Sequence, residues 1–354
     1  MPDPSDPSWT VPAWPKFGLT ADVRPALARA IGAGRSSVLA SLHAVEGAAP
    51  LGEGAQMLFD QGAAAGFLSG GCVEGDVALH AQAALRDGRP RRLIYGRGGP
   101  PDIQLLCGSR IEVMLEAIGP DDPAAARLLA LSRARIMALW LSDGVRRTCL
   151  AEGEAEDSVP PALRPALAQA RERTAPAGSA GEGVYRRYWP AHRLVVVGGD
   201  PITLAIARLA SDAGFETALV RPKGPAEPPP LPGVRYFRGE AEEAFAELGL
   251  DPWTAVAVAT HDIEIDHDAL VLALPSSAGY VGALGSRRRL PERLARLAAE
   301  GLGEAPIARL KAPIGLNIGA RAPWHIAVSV VAEAIQTLQA QDALRVWPAA
   351  LEQV

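Results

Sequence analysis

RLVVVGGDPITLAIARLASDAGFETALVRP, residues 193–222, decides how the chain is read. An apolar run ends at Gly198-Gly199. A helical spacing of apolar residues follows, and Gly214 stops it. A second apolar run then closes at Val220. Strand, glycine turn, helix, glycine and strand make one βαβ unit. Downstream, TAVAVAT (254–260) and GYVGAL (279–284) read as strands. DHDALVLAL (266–274), RRRLPERLARLAAEG (287–301) and PWHIAVSVVAEAIQTLQAQ (323–341) read as helices. Strands alternating with helices predict an α/β domain with a Rossmann-like, doubly wound parallel sheet.

The glycine turn departs from a dinucleotide fingerprint, which wants glycine at its first, third and sixth places. Here those places hold Gly198, Asp200 and Thr203, with Gly199 between the first two. A carboxylate at the third place repels a pyrophosphate, and Pro201 removes an amide from the helix start, where anions bind. After the second strand, an acid for ribose hydroxyls is replaced by Arg221, which suits a 2′-phosphate or simple exposure. The expectation is a Rossmann-like domain for which ordinary NAD(P) is an unlikely ligand.

Toward the N-terminus the pattern changes. SSVLASLHAV (36–45) predicts a strand, and AQMLFD with AAAGFLS a hairpin about Gln61-Gly62. CVEGDVALHAQAALRDG (72–88) predicts a helix ended by Gly88 and Pro90. RRLIYG and SRIEVMLEAI predict strands, and PDDPAAARLLALSRAR a helix with Pro123 in its first turn. IMALWLSDGVRRTCLAEG predicts a hairpin about Asp143-Gly144. The expected organisation is a flexible arm (1–20), an N-terminal mixed α/β domain (21–150), a linker (151–191) containing TAPAGSAGEG, and the Rossmann-like domain (192–354).

A chain of 354 residues with 48% apolar composition supports about two cores. A net charge of -5 argues against nucleic acid or an anionic membrane as partner. No apolar run is long enough to span a bilayer, and the start MPDPSDPSWTVPAWP lacks the pattern of a signal peptide, so a cytoplasmic location is expected. Cys72, Cys107 and Cys149 are widely spaced and form no CxxC pair, which argues against disulfides and structural zinc. His43, His80, His192, His267 and His325 show no metal spacing.

GFLSGGCVEGDV (66–77), together with the later ALGSRRRLPERLARL and APIGLNIGA, resembles the XdhC/CoxI family. Those proteins are accessory factors of xanthine dehydrogenase and related molybdenum hydroxylases. SVLASLHAVEGAAPLGEGAQMLF, VAVATHDIEIDHDAL and the turn at Gly198 extend the resemblance from about Ala26 to Ile335. The family turn is commonly Gly-Ala-Gly-His, whereas this chain has Gly198-Gly199-Asp200-Pro201, and Asn317 stands where an acid is common.

The resemblance implies an N-terminal XdhC domain, a C-terminal Rossmann domain and a homodimer. It implies a chaperone, not a catalyst, that binds molybdenum cofactor (molybdopterin), assists its sulfuration and inserts it into an apo xanthine dehydrogenase-type hydroxylase. A cysteine desulfurase is then a second partner. The expected cofactor site starts at Ser69, Gly70 and Gly71, with the amides of Gly70 and Gly71 facing a phosphate at a helix start. Cys72 follows as a soft donor whose thiolate a helix start favours, and Glu74 as an acceptor for pterin N–H groups. Cys107, Gly108 and Ser109 form a second cysteine–glycine piece, so Cys72 and Cys107 are the candidate metal ligands. Free cysteines are also often small buried hydrophobes, and that alternative stays open for both. Cys149 is expected to pack.

In the second domain, Gly198, Gly199, His261 and Asp262 lie at carboxyl ends of strands, where parallel sheets bind ligands. Gly285, Ser286 and Arg287 open a helix and read as an anion seat or as a solvated basic turn. The competing function is an NAD(P)-dependent oxidoreductase, favoured by the βαβ unit and His261 and disfavoured by Asp200 and Arg221. A non-binding scaffold is the third reading.

Overall fold

The computed structural model describes residues 14–61, 63–103, 105, 108–155, 157 and 159–348. Two compact units emerge. One runs to Trp189 and regains the chain at Arg345; the other is Pro190–Leu344.

The first unit carries α1 (Arg24–Gly32), β1 (Ser37–Glu46), β2 (Gln56–Asp60), β3 (Ala63–Gly66) and α2 (Glu74–Asp87). It continues with β4 (Arg91–Gly96), β5 (Arg110–Ile118), α3 (Pro123–Arg133), β6 (Ala138–Ser142) and β7 (Arg147–Ala151). Helix α4 (Arg164–Glu172), β8 (Ala177–Ala180) and β9 (Gly183–Tyr188) complete it. The strands make an antiparallel sheet in the order β3-β2-β1-β5-β4 and a second in the order β7-β6-β9-β8.

Strand alternation sorts the side chains of β1. Val38, Ala40 and Leu42 meet Val77, Ala81 and Ala84 of α2 in one core. Leu39 faces a second core with Leu27, Leu128 and Trp140. Cys149 lies in that second core, buried as expected, and burial pushes its thiol up to about 12.

Three boundaries differ from the expectation. The stretch 151–191 is not a linker: α4, β8 and β9 lie within it, and β9 pairs with β6 from Val184 to Tyr188. Within GSAGEG, whose composition reads as flexible, Gly181 and Glu182 are the turn of the β8–β9 hairpin and the residues around them are its strands. Of the expected arm, residues 1–13 lie outside the described residues, and Lys16–Leu19 form a 3-10 turn against β3. The domain expected to run to 354 stops at Leu344, because Arg345 O accepts from Arg187 Nη1 at 2.6 Å and Trp347 N donates to Ala170 O at 3.2 Å.

The second unit contains β10 (Arg193–Val197), α5 (Pro201–Asp212), β11 (Glu216–Val220), β12 (Val234–Phe237) and α6 (Ala241–Leu248). Then come β13 (Thr254–Val258), α7 (Ile263–Ala273), β14 (Tyr280–Ala283), α8 (Leu290–Ala299), α9 (Glu304–Ala308), β15 (Leu310–Lys311) and α10 (Pro323–Asp342). All pairings are parallel, in the order β12-β11-β10-β13-β14-β15. Leu194 and Val196 face α5 and α10, while Val195 and Val197 face α6 and α7. A strand buried on both faces explains the unbroken apolar run at 194–197. The order reverses between β10 and β13, and their carboxyl ends hold the crevice.

Candidate functional site

In the first unit, the loop between β3 and α2 is organised by one carboxylate. Glu74, the first residue of α2, is fully buried. Its Oε1 accepts from Leu68 N at 3.1 Å and Ser69 N at 2.7 Å. Its Oε2 accepts from Ser69 Oγ at 2.8 Å, Gly71 N at 3.0 Å and Val73 N at 3.2 Å. Burial alone raises this carboxyl, but the hydrogen bonds from Ser69 and the backbone outweigh it and hold Glu74 below the usual carboxylate range.

This geometry corrects two expected contacts. Glu74 spends its oxygens on its own loop and is closed to a pterin edge. Ser69, 3% exposed, is spent in the same network. What the loop presents outward is narrower. Gly70 and Gly71 take φ of +107° and +100°, a conformation open to glycine. Cys72 follows them, exposed, with a free thiol. Among the described residues, no acceptor meets the amides of Gly70 and Cys72. The Glu74 wrap therefore holds a raised Gly-Gly-Cys turn at the start of α2.

The second expected piece reaches the same neighbourhood through an intermediary. A Cβ on Gly70 would stand 3.6 Å from Pro50 Cγ, and one on Gly47 would stand 3.4 Å from Ser109 Cα. The 47–50 turn thus contacts both segments. Ser109 is 1% exposed and is withdrawn as a direct contact, whereas Gly108 is exposed. Cys107 lies outside the described residues. Among the described residues no three of His, Cys, Asp and Glu gather as a metal cage, so Cys72 is a single soft donor.

In the second unit, Asp200 is the N-cap of α5. Its Oδ1 accepts from Thr203 N at 2.8 Å and Thr203 Oγ1 at 2.9 Å. Its Oδ2 lies 3.0 Å from His261 Nε2. Gly198 is packed so tightly that a Cβ would come within 2.6 Å of Ala259 O, and Arg221 lies over Gly199. The helix start that would hold a pyrophosphate is occupied by the protein's own carboxylate. Gly198 is packed against Thr203 and Ala259, and Gly199 against the Arg221 side chain.

One strand further along, at the carboxyl ends of β13 and β14, lies a cavity of about 440 Å³. His261, Gly285 and Ser286 line it. Asp262 and Arg287 do not. Asp262 instead caps α7, accepting from Glu264 N at 2.9 Å and Ile265 N at 3.3 Å. The residues that sequence reading missed are Asp266, His267, Arg289 and Arg293. Asp266 Oδ2 pairs with Arg293 Nη2 at 2.7 Å, and its Oδ1 accepts from Thr260 Oγ1 at 2.7 Å. Burial raises the Asp266 carboxyl, against the hydrogen bond from Thr260 and the charge of Arg293. Helical spacing was the available signal: Asp266 sits one turn beyond Asp262, and Arg289, Arg293 and Arg296 repeat at i, i+4, i+7.

Comparison with known proteins places both units. The model of the XdhC Rossmann domain matches residues 194–334, and that of the XdhC and CoxI family matches residues 30–96. The molybdenum cofactor insertion chaperone PaoD of Escherichia coli (strain K12) is 29% identical over 320 residues, covering 89% of this chain and 88% of that protein. A probable xanthine dehydrogenase subunit of Bacillus subtilis (strain 168) is 30% identical over 314 residues, covering 85% of this chain and 93% of that protein. A crystal structure described as a xanthine dehydrogenase from Bacillus halodurans superposes with a TM-score of 0.71 at 25% identity, covering 90% of this chain and 96% of that one. No helix among the described residues is long and apolar enough to cross a membrane.

Proposed function

The chain belongs to the XdhC and CoxI family, and from that premise we propose that it is a maturation chaperone. It binds molybdenum cofactor as cargo, assists its sulfuration and delivers it to an apo xanthine dehydrogenase-type hydroxylase. The observation that carries this reading is the near full-length likeness to a protein named molybdenum cofactor insertion chaperone.

The residues fit such a cargo at the turn before α2. Gly70 and Cys72 offer two outward amides to an anionic group, and the Cys72 thiol is a soft donor for molybdenum or its sulfur ligand. The buried Glu74 network holds the turn in place without the cargo. Gly108, and Cys107 beside it in sequence, are the further contacts of this reading. A desulfurase as sulfur donor and a homodimer complete it.

A nicotinamide-dependent oxidoreductase is the weaker function, since Asp200 fills the pyrophosphate position and Arg221 covers Gly199. The test is the molybdenum and pterin content of protein co-expressed with cofactor biosynthesis. Wild type is expected to carry both and Cys72→Ala to lose molybdenum. Full stoichiometry in Cys72→Ala removes the ligand role of Cys72. Absence of pterin from wild type removes the function.

A further inference from the structure

A sheet of this topology is built from two halves, each able to hold one nucleotide. In this protein the halves have diverged. The half around β10 is shut by the Asp200 cap, the His261–Asp200 pair and Arg221 over Gly199. The half around β13 and β14 holds the cavity of about 440 Å³. That volume is within the range of small-molecule sites and suits one nucleotide better than two.

The lining divides by chemistry. Ala283, Leu284, Leu290 and Pro313 form an apolar wall against which a flat ring can lie. Arg293 is committed to Asp266 at 2.7 Å, and Arg296 to Glu264 at 2.8 Å. Arg289 is exposed on the rim, with no ionic partner among the described residues. It belongs to the 3-10 turn Arg287–Arg289, which leads directly into α8. The amides of Arg287 and Arg288 at that start meet no acceptor among the described residues. His267 also lines the cavity at 8% exposure, with its Nε2 3.5 Å from the Glu300 carboxylate.

We propose that this cavity binds a phosphate monoester of nucleotide size. The phosphate sits against Ser286, the Arg287 and Arg288 amides and the Arg289 guanidinium, and the ring lies on the Leu284–Pro313 wall. The free helix-start amides and the uncommitted Arg289 guanidinium supply the charge-assisted bonds. A dinucleotide is refused because its second half has no room at Asp200. The ligand can be a free mononucleotide or the phosphate-bearing tail of the pterin cofactor, which share this chemistry. The site does not depend on the Cys72 turn, so failure of that turn to hold molybdenum leaves it standing.

Calorimetric titration of molybdenum-free protein with inorganic phosphate, AMP, GMP and NADH tests the site. A mononucleotide is expected to saturate at one per chain and to bind more tightly than phosphate or NADH. Arg289→Gln and Ser286→Asp, both at exposed positions, are each expected to weaken it about tenfold or more. A second arm measures pterin in Arg289→Gln protein co-expressed with cofactor biosynthesis. If free nucleotides do not bind but that variant loses pterin, the cofactor tail is the ligand and the proposal stands. It is overturned if both arms are silent, if neither substitution weakens binding, or if NADH binds more tightly than the mononucleotides.

Discussion

His261 Nε2 lies 3.0 Å from Asp200 Oδ2, tying the loop after β13 to the turn after β10 across the point where strand order reverses. Nucleotide-binding sheets of this topology keep that gap open for a pyrophosphate. Here an acid and a histidine cross it, and the acid also caps the helix behind it. The turn reads as degraded in sequence, yet it is a completed structural element with different partners.

Asp200→Ala is expected to cost about 1 kcal/mol, the usual worth of a side-chain N-cap. His261→Ala should cost less than about 0.5 kcal/mol, because the ring is 79% exposed and its pair is screened. Urea unfolding of the two variants measures both. A cost for His261→Ala equal to that for Asp200→Ala would mean the bridge, not the cap, holds the turn.

Glu74→Ala is expected to destabilise by about 3 kcal/mol or more, since the five donors it accepts from lose their acceptor in a buried place. The pH sign follows from its lowered titration. The contribution is complete above the usual carboxylate range and is lost as pH falls through the lower folded value. Denaturant midpoints at pH 7 and in acid, wild type against variant, are the check. A difference that grows on acidification contradicts the assignment.

Cys72 and Cys149 should separate cleanly in thiol labelling. In a Cys107→Ser background, Cys72 is expected to react with a disulfide reagent in the native protein. Cys149 should react only on unfolding, being buried with its thiol pushed up to about 12. Two equally fast thiols would exclude this core.

His43 makes the first unit acid-sensitive. It is 2% exposed on β1, and neither ring nitrogen has a hydrogen-bond partner. Burial drives the ring down to about 4, aided by the Arg92 charge and opposed by Glu112. The unfolded chain therefore binds this proton first. Stability is full above about 6.5, falls as pH drops toward 4, and loses about 3 kcal/mol in all. His43→Leu should flatten that part of the profile of unfolding free energy against pH. An unchanged slope would assign the acid sensitivity elsewhere.

Much of the fold was legible because it depends on local pattern. The run Leu194–Val197 can only be a strand covered on both faces, and the Pro123 and Gly88 boundaries hold because backbone geometry places them. The β8–β9 hairpin was hidden, since Gly178, Gly181 and Gly183 carry turn composition, while the pairing that makes it a strand comes from β6, more than thirty residues away in sequence. Of the site, the Gly70-Gly71-Cys72 turn and Ser286 could be picked out from glycines and caps. Arg289 and Asp266 showed only as helical spacing, because their roles depend on which arginine the Asp266 carboxylate claims.

The strand and helix periods, the glycine turns, and an acid where a dinucleotide needs a glycine are all written in the order of the residues. What those groups face was settled by packing in three dimensions. Glu74 turned inward because the amides of Leu68, Ser69, Gly71 and Val73 converge on it. Asp200 became a cap and a bridge because β13 brings His261 to it. Periodicity is a property of neighbours along the chain, whereas the partner of a buried charge is chosen in space, where an unpaired one would be too costly to keep.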